Sequence, residues 1–582
     1  MRAAVLRRSA VALASVMVLV ACSGEGTPRE EPPELDRGGA AGAFKNPELR
    51  PPAPVPEDAA DGGTLTVLTA ESPSTLDPTQ AYFTDSTAIM SGLVTRALTQ
   101  YVHDPDTDDM VLVPDMATDL GRPNEDNTEW TFTLRDGLRY EDGSEVRAED
   151  VAYAIKRSFA IEELPDGPTY QRTFFVDGEK YRGPFRDGDD YAGVEVDGDD
   201  ITIKMRRPFP DMDYYASFPA FTGIPQDQDD PATYGRKPLA TGPYKFEEYE
   251  PGSRLTLVRN EEWDPATDPG RIQAVDRWEF RFGQDTTRLE NVIATDNGDA
   301  RTTLTYDNVS APTYRFMQEA PDRLVTGTQP CTYLWYLDMT KIEDIRVRRA
   351  LGYAYPYESA WRALGEIVGV TRVPGTAILP PGTAGRQEFD VLGIGGRDTD
   401  PERARALLEE ADAVGFEVRF LYATDDDARV AEKDAIVKGL EAAGFEPEPV
   451  VSTVDTLRTD RTDPEAPIDV RSGAWCSDWP SGGSWFPAQW SGDLVGLEGM
   501  PNPANFDVPA MDRRQDEILD TMTPEEAAEA WGGFDRTLQE EHYPAVVTGY
   551  GGVAMIHGSQ VGGMANDNVR GMPTFGRMYL RN

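Results

Sequence analysis

The sequence predicts an α/β protein of at least two lobes, and three observations carry that prediction. Short alternating segments such as Thr64-Leu65-Thr66-Val67-Leu68 and Trp130-Thr131-Phe132-Thr133-Leu134 read as strands in the early part of the chain. From about residue 400 onward, helical and strand patterns alternate instead, the signature of an α/β unit. At roughly 150 residues per domain, 582 residues also correspond to about four domain-sized units.

Each element has a local reason. Gly63 opens the first strand, and Arg135-Asp136-Gly137 supplies a turn after the second. Residues 144–159 read as a helix, with Val151, Ile155 and Phe159 four apart on one face. Val194-Glu195-Val196 and Ile201-Thr202-Ile203-Lys204-Met205 flank Asp197-Gly198-Asp199-Asp200, a hairpin. Its acids lack the alternate spacing that a calcium loop needs before its Gly, so they read as turn chemistry. Asp400-Pro401-Glu402 caps and opens a helix to about Ala413. A strand from Phe416 to Ala423 follows, then a helix from Ala428 to Ala443 stopped by Gly444, then a strand from Pro447 to Thr453. Thr523-Pro524-Glu525-Glu526 is a capping box.

Composition narrows the function. Hydrophobic residues make up 39% of the chain, with 23 Tyr, 22 Phe and 10 Trp, which supports packed cores. The net charge of −46 repels phosphate backbones and anionic headgroups, so nucleic acid is not an expected partner. Three His and three Cys leave little for a metal site, and neither a metal nor a cofactor is expected. There is no Gly-x-Ser-x-Gly elbow, His-Glu-x-x-His or phosphate loop to organise the many carboxylates into a hydrolase. An enzyme is therefore not expected.

The N-terminus reads as an export signal over residues 1–21. Arg2, Arg7 and Arg8 precede an apolar run from Ala10 to Ala21 that is too short to span a bilayer. Leu19-Val20-Ala21-Cys22 looks like a bacterial lipobox, which would place a lipid on Cys22; the alternative is an ordinary secretory signal with an incidental Cys. Residues 22–62 are Pro-rich, as in Pro51-Pro52-Ala53-Pro54-Val55-Pro56, and are expected to form a hydrated tether with neither helix nor sheet.

A set of ordered stretches resembles the extracytoplasmic solute-binding proteins of ABC importers, family 5. They are Ser74-Thr75-Leu76-Asp77-Pro78, Trp130 to Leu138, Asp142-Gly143-Ser144, Ala148-Glu149-Asp150-Val151, Thr241-Gly242-Pro243-Tyr244, Arg259 to Trp263 and Asp344 to Leu351. The resemblance covers residues 63–582. It implies a periplasmic-binding-protein-like type II fold: two lobes joined by a hinge, with an extra domain in the first. The expected boundaries are 63–100, 239–330 and 559–582 for lobe I, 101–238 for the extra domain, and 331–558 for lobe II.

Trp475-Cys476-Ser477-Asp478-Trp479 is similar to the segment of the oligopeptide-binding subgroup whose Asp holds a peptide ammonium. A counter-charge in a closed cleft fits that role. A turn or cap role for Asp478 beside Pro480, and core packing for Trp475 and Trp479, remain as alternatives. The resemblance also pairs Cys331 with Cys476 in a disulfide, against two unpaired Cys. It places Trp475, Cys476, Trp479, Glu71, Ser72, Pro73 and Tyr550 near the ligand, and Arg471, one position off the family's basic residue, near a peptide carboxylate. The implied function is a monomeric, lipid-anchored receptor on the extracytoplasmic face of a bacterial membrane. It would close on short peptides and pass them to permease and ATPase subunits. An oligosaccharide, a siderophore or a signalling peptide is the alternative cargo.

Overall fold

The computed structural model describes residues 42–497, 500–521 and 523–582. The expected export signal, Cys22 and the first half of the Pro-rich stretch lie outside the described residues.

Three strands open the described chain: Phe44–Lys45 (β1), Thr64–Leu68 (β2) and Thr99–Asp104 (β3), with Asp109–Pro114 (β4) next. β1 corrects the tether expectation. Phe44 and Lys45 pair in parallel with Val111 and Leu112 on the edge of β4, and Ala59 bridges Arg581. An extended Pro-rich chain cannot sit inside a sheet, but its free amides and carbonyls suit an edge. Lys45 adds a 2.6 Å ion pair to Asp213 and lies 4.1 Å from the Tyr214 ring centroid.

Four strands form an antiparallel sheet in the order β5-β6-β8-β7: Arg122–Pro123 (β5), Glu129–Thr133 (β6), Val194–Asp197 (β7) and Asp200–Lys204 (β8). The expected 197–200 turn joins β7 to β8, with Gly198 at φ +63°. Beside this sheet lies the helix Ala148–Arg157, shorter than the expected 144–159. The Asp150 carboxylate accepts the Arg147 amide and so marks its start. Val151, Ile155 and Phe159 are all buried in the same core, each contributing about 1.5–3 kcal/mol. We refer to this part as the inserted body.

Lobe I is built on a sheet that gathers distant segments. Tyr244–Glu250 (β9), Arg254–Arg259 (β10), Arg277–Arg281 (β11) and Thr303–Leu304 (β12) join β2 in the order β12-β2-β11-β10-β9. β2 lies between two parallel neighbours and is almost wholly buried, which accounts for its β-branched and aliphatic run.

Lobe II carries Leu324–Leu337 (β13), Arg372–Val373 (β14), Glu417–Ala423 (β15), Glu446–Ser452 (β16), Val470–Cys476 (β17) and Ala545–Ile556 (β18). Their order is β14-β18-β13-β17-β15-β16. The helix Asp427–Ala443 joins β15 to the parallel β16 and ends at Gly444, whose φ of +95° lets the chain reverse. The long strands β13 and β18 link the lobes. At one end Thr305 of lobe I donates to the Ile556 carbonyl, and at the other Leu337 sits in the lobe II core. Their register breaks between Thr328 and Thr332, where Pro330 cannot donate to a ladder.

Buried ion pairs tie the inserted body to lobe I. Arg157 contacts Asp77 at 2.7 Å and Asp229 at 2.8 Å. Arg271 pairs with Asp115 at 2.9 Å and Asp268 at 3.0 Å, while Arg96 pairs with Asp115 at 2.8 Å. All are nearly inaccessible to water, so removing one partner strands the others. Arg157→Met is therefore expected to destabilise the protein by about 3–5 kcal/mol in urea unfolding, because Asp77 and Asp229 lose their shared cation. A loss below about 1 kcal/mol would show the clamp to be dispensable.

Candidate functional site

β17 has one filled edge and one open edge. It pairs with β13 along its whole length, from Cys331 opposite Cys476 to Leu337 opposite Val470. On its other side, among the described residues, only Val470 finds a strand partner, Phe420 of β15. Main-chain groups in an antiparallel pair face the partner at every second residue. Since Val470 faces away from β13, so do Ser472, Ala474 and Cys476. Ser472 and Ala474 are exposed, and the Ser472 carbonyl accepts from Arg461 Nη1 at 3.0 Å. The open edge borders a cavity of about 440 Å³ whose lining includes Tyr333, Trp361, Arg372, Phe420, Arg429 and Arg461.

The cations of this cavity differ in what they hold. Arg372 pairs with Glu366 at 2.5 Å and stacks on Tyr333, and Arg429 pairs with Glu432 at 3.1 Å. Arg461 has no carboxylate within ion-pair distance among the described residues. Burial pushes its guanidinium pKa down, and the nearby Arg458 and Arg429 add to that. Arg471, expected to meet a ligand carboxylate, is 1% exposed. It pairs with Asp338 at 3.3 Å and donates to the Arg461 carbonyl at 3.2 Å. Both arginines border the cavity, but Arg471 is committed to Asp338, whereas Arg461 has no ion pair among the described residues.

At the far end of β17 the chain is braced by the Cys331–Cys476 disulfide, which spans 145 residues. In the chain-entropy model, closing so long a loop contributes on the order of 4–5 kcal/mol. Asp478 follows. Its Oδ2 accepts from Tyr82 OH of lobe I at 2.7 Å and from Tyr170 OH of the inserted body. Among the described residues no backbone amide bonds to this carboxylate and no cation neutralises it, which removes the turn and cap alternatives. Burial raises its pKa to about 6, with the two hydroxyls opposing the rise. The phenols stay protonated, since burial drives both well above their ordinary value. Nearby, Arg458 of the helix Leu457–Thr462 lies 5.6 Å from the Phe83 ring, a second contact between the lobes.

The other expected residues separate into two groups. Trp475 is half-buried and donates to the Ser484 carbonyl at 3.0 Å. Glu71 is exposed, Ser72 accepts from the Gly252 amide at 3.2 Å, and Pro73 is buried; none contacts Asp478. Two expectations are corrected outright. Tyr550 is buried, and its hydroxyl accepts the Ala377 amide and donates to the Ala377 carbonyl, both at 3.0 Å, so it braces lobe II instead of facing a ligand. Trp479 is 0% exposed inside the core of the inserted body, the core-packing alternative. Sequence reasoning missed Tyr82, Tyr170 and Arg461. Nothing local marks the tyrosines, and Arg461 sits ten residues upstream of the position that drew attention.

Chemically, an open strand edge and a guanidinium without an ion pair among the described residues border the cavity, and the Asp478 carboxylate lies past the end of that edge, outside the cavity lining. Ser472 and Cys476 lie four residues apart on the edge, which is about 13 Å at about 3.3 Å per residue. This arrangement complements a short extended chain with a positive end and an anionic group.

Comparison with known proteins gives a consistent picture. Residues 111–494 match the model of the bacterial extracellular solute-binding proteins, family 5 middle. Over 385 residues the chain is 22% identical to the probable D,D-dipeptide-binding periplasmic protein of Escherichia coli K12, covering 64% of this chain and 67% of that one. Among solved structures it superposes on clavulanic acid biosynthesis oligopeptide binding protein 2 with a TM-score of 0.81 and 26% identity, over 94% of this chain and 99% of that one. It also superposes on the ABC transporter-associated periplasmic binding protein DppA of Helicobacter pylori, in complex with the peptide STSA. There the TM-score is 0.69 at 16% identity, over 90% and 99%. The fold is the two-lobed α/β arrangement of type II periplasmic binding proteins.

The hydroxyls that hold Asp478 provide a direct check on its electrostatics. Tyr170→Phe removes one donor to the ionised form, so the carboxyl pKa should rise further above about 6 in an NMR titration of its side-chain carbon. An unchanged or lower value would contradict the assigned hydrogen bonds.

Proposed function

Because the chain belongs to the bacterial extracellular solute-binding proteins of family 5, we propose that it captures short peptides between its lobes and delivers them to the permease and ATPase subunits of an ABC importer. The observation that carries this reading is Asp478, a half-buried carboxylate with no cation beside it among the described residues, at the end of an open strand edge. A peptide ammonium supplies the missing charge through a short charge-assisted hydrogen bond. The peptide main chain then adds to the edge at Ala474 and Ser472, which gives affinity without regard to side chains. Arg461 takes an anionic group of the ligand, the role that the sequence assigned to Arg471.

Delivery places the protein on the extracytoplasmic face of the membrane. Support for a lipid anchor there comes from the order Leu19-Val20-Ala21-Cys22 after a short apolar run. The lobes close by bending β13 and β18 near their broken register, with the inserted body carried along by lobe I. The receptor acts as a monomer and performs no chemistry on its cargo.

Calorimetry with trialanine and tetra-alanine, free and N-acetylated, tests this reading. Asp478→Ala should weaken the free peptides by at least ~2 kcal/mol, about 30-fold, and leave the acetylated ones unchanged. Wild-type affinity for the free peptides should be highest at about pH 7 and decline above about pH 8, where the peptide α-ammonium loses its proton. It should fall as the pH drops through about 6, because the carboxylate takes up a proton while the ammonium stays charged. Equal binding by Asp478→Ala would sink the peptide assignment and point to another solute.

A further inference from the structure

Trp479, immediately after the ammonium-binding candidate, leaves lobe II and enters the core of the inserted body. Its ring lies 4.5 Å from Tyr170, 5.8 Å from Phe209 and 6.0 Å from Tyr215, measured between ring centroids. Its Nε1–H donates to Asp211 Oδ2 at 2.8 Å. Asp211 belongs to the inserted body, and among the described residues it has no ion pair; the nearby Lys45 is bonded to Asp213. Burial raises the Asp211 pKa, and the Trp479 hydrogen bond is the strongest effect opposing that rise.

A carboxylate in this position without an ion pair among the described residues is costly unless hydrogen bonds satisfy it, and the Trp479 indole is its strongest such partner, ahead of the more distant Lys45 charge and Ser481. Its partner is an indole whose two ends are both fixed, the ring by packing and the nitrogen by Oδ2. Tyr170 closes the arrangement, since its ring packs on Trp479 while its hydroxyl holds Asp478. On the lobe II side, Ala384 donates to the Pro480 carbonyl at 3.2 Å and Ser484 Oγ to the Trp479 carbonyl at 2.9 Å. The two residues after Asp478 are thus held from both sides of the cleft, by lobe II at the Trp479 and Pro480 carbonyls and by the inserted body at the Trp479 side chain.

We propose that Asp211 and Trp479 are positioning residues for the ammonium subsite. They set the place of the Asp478 carboxylate when the lobes meet, so that the inserted body governs the preference for a free peptide amine. This rests on the reading that Asp478 holds that amine. Neither residue touches the ligand, so the expected signature is a change in discrimination and not in overall binding.

The test measures dissociation constants of trialanine and N-acetyl-trialanine for the full soluble chain and its variants. Trp479→Phe keeps an aromatic ring, smaller than the indole, but loses the N–H, and Asp211→Ala loses the acceptor. Each should weaken trialanine about tenfold, in line with a lost charged hydrogen bond, and leave N-acetyl-trialanine unchanged. Asp211→Asn keeps a carbonyl acceptor and should restore trialanine binding to within about threefold of wild type. Equal losses for both peptides, or an unaltered ratio in Trp479→Phe, would overturn the proposal and leave the pair a plain packing contact. If wild type itself does not distinguish the two peptides, the ammonium reading of Asp478 falls first and takes this proposal with it. Thermal unfolding of Asp211→Asn beside Asp211→Ala separates a folding defect from a positioning one, because only the latter is rescued without a matching change in melting temperature.

Discussion

Asp478 holds a half-buried negative charge, with two phenol hydroxyls as its partners and, among the described residues, no cation. Hydroxyls stabilise the ionised form but do not cancel its charge, and its pKa accordingly sits near 6 instead of near 4. A site of this kind gains most from a ligand that brings a compact positive charge. The rest of the cleft is arranged around that requirement. The disulfide pins the strand that leads to the carboxylate, Tyr82 and Tyr170 reach it from across the cleft, and Trp479 anchors the residue after it.

The distribution of rigid and compliant joints follows the same logic. Arg157 and the Arg96, Arg271, Asp115 and Asp268 cluster join lobe I to the inserted body through buried charges, which separate only at a large desolvation cost. Between lobe I and lobe II the covalent link is two long strands whose ladder is already interrupted near Pro330. The contacts that cross the cleft include no fully buried ion pair among the described residues: Asp478 with Tyr82 and Tyr170, Trp479 with Asp211, Arg458 over Phe83, and the part-exposed Arg207 with Asp516 and Asp520. Motion between the lobes therefore costs less than motion within lobe I and its inserted body.

Much of the fold was legible because its signals are local. The alternation in β2 and β6, the Asp-Gly turn before β8, the Gly444 stop and the Thr523 capping box each follow from neighbours in sequence. The site was legible only in part. The carboxylate and Cys476 stood out because they lie in one ordered segment that resembles the family's, whereas Tyr82 and Tyr170 reach Asp478 from positions 396 and 308 residues away. Arg471 was misread because a strand turns alternate side chains to opposite faces, and its own is committed to Asp338. Tyr550 and Trp479 were misread because an aromatic ring gives no sequence sign of which core it fills. β1 was hidden by its prolines, which forbid a central strand but not an edge.

A crystal structure of the protein with a bound tripeptide tests the central claim most directly. The claim predicts the peptide amine about 3 Å from the Asp478 carboxylate, the distance of a charge-assisted hydrogen bond, with the peptide main chain paired to Ala474 along the open edge of β17. A tripeptide lying elsewhere, with Asp478 still bonded only to Tyr82 and Tyr170, would contradict it.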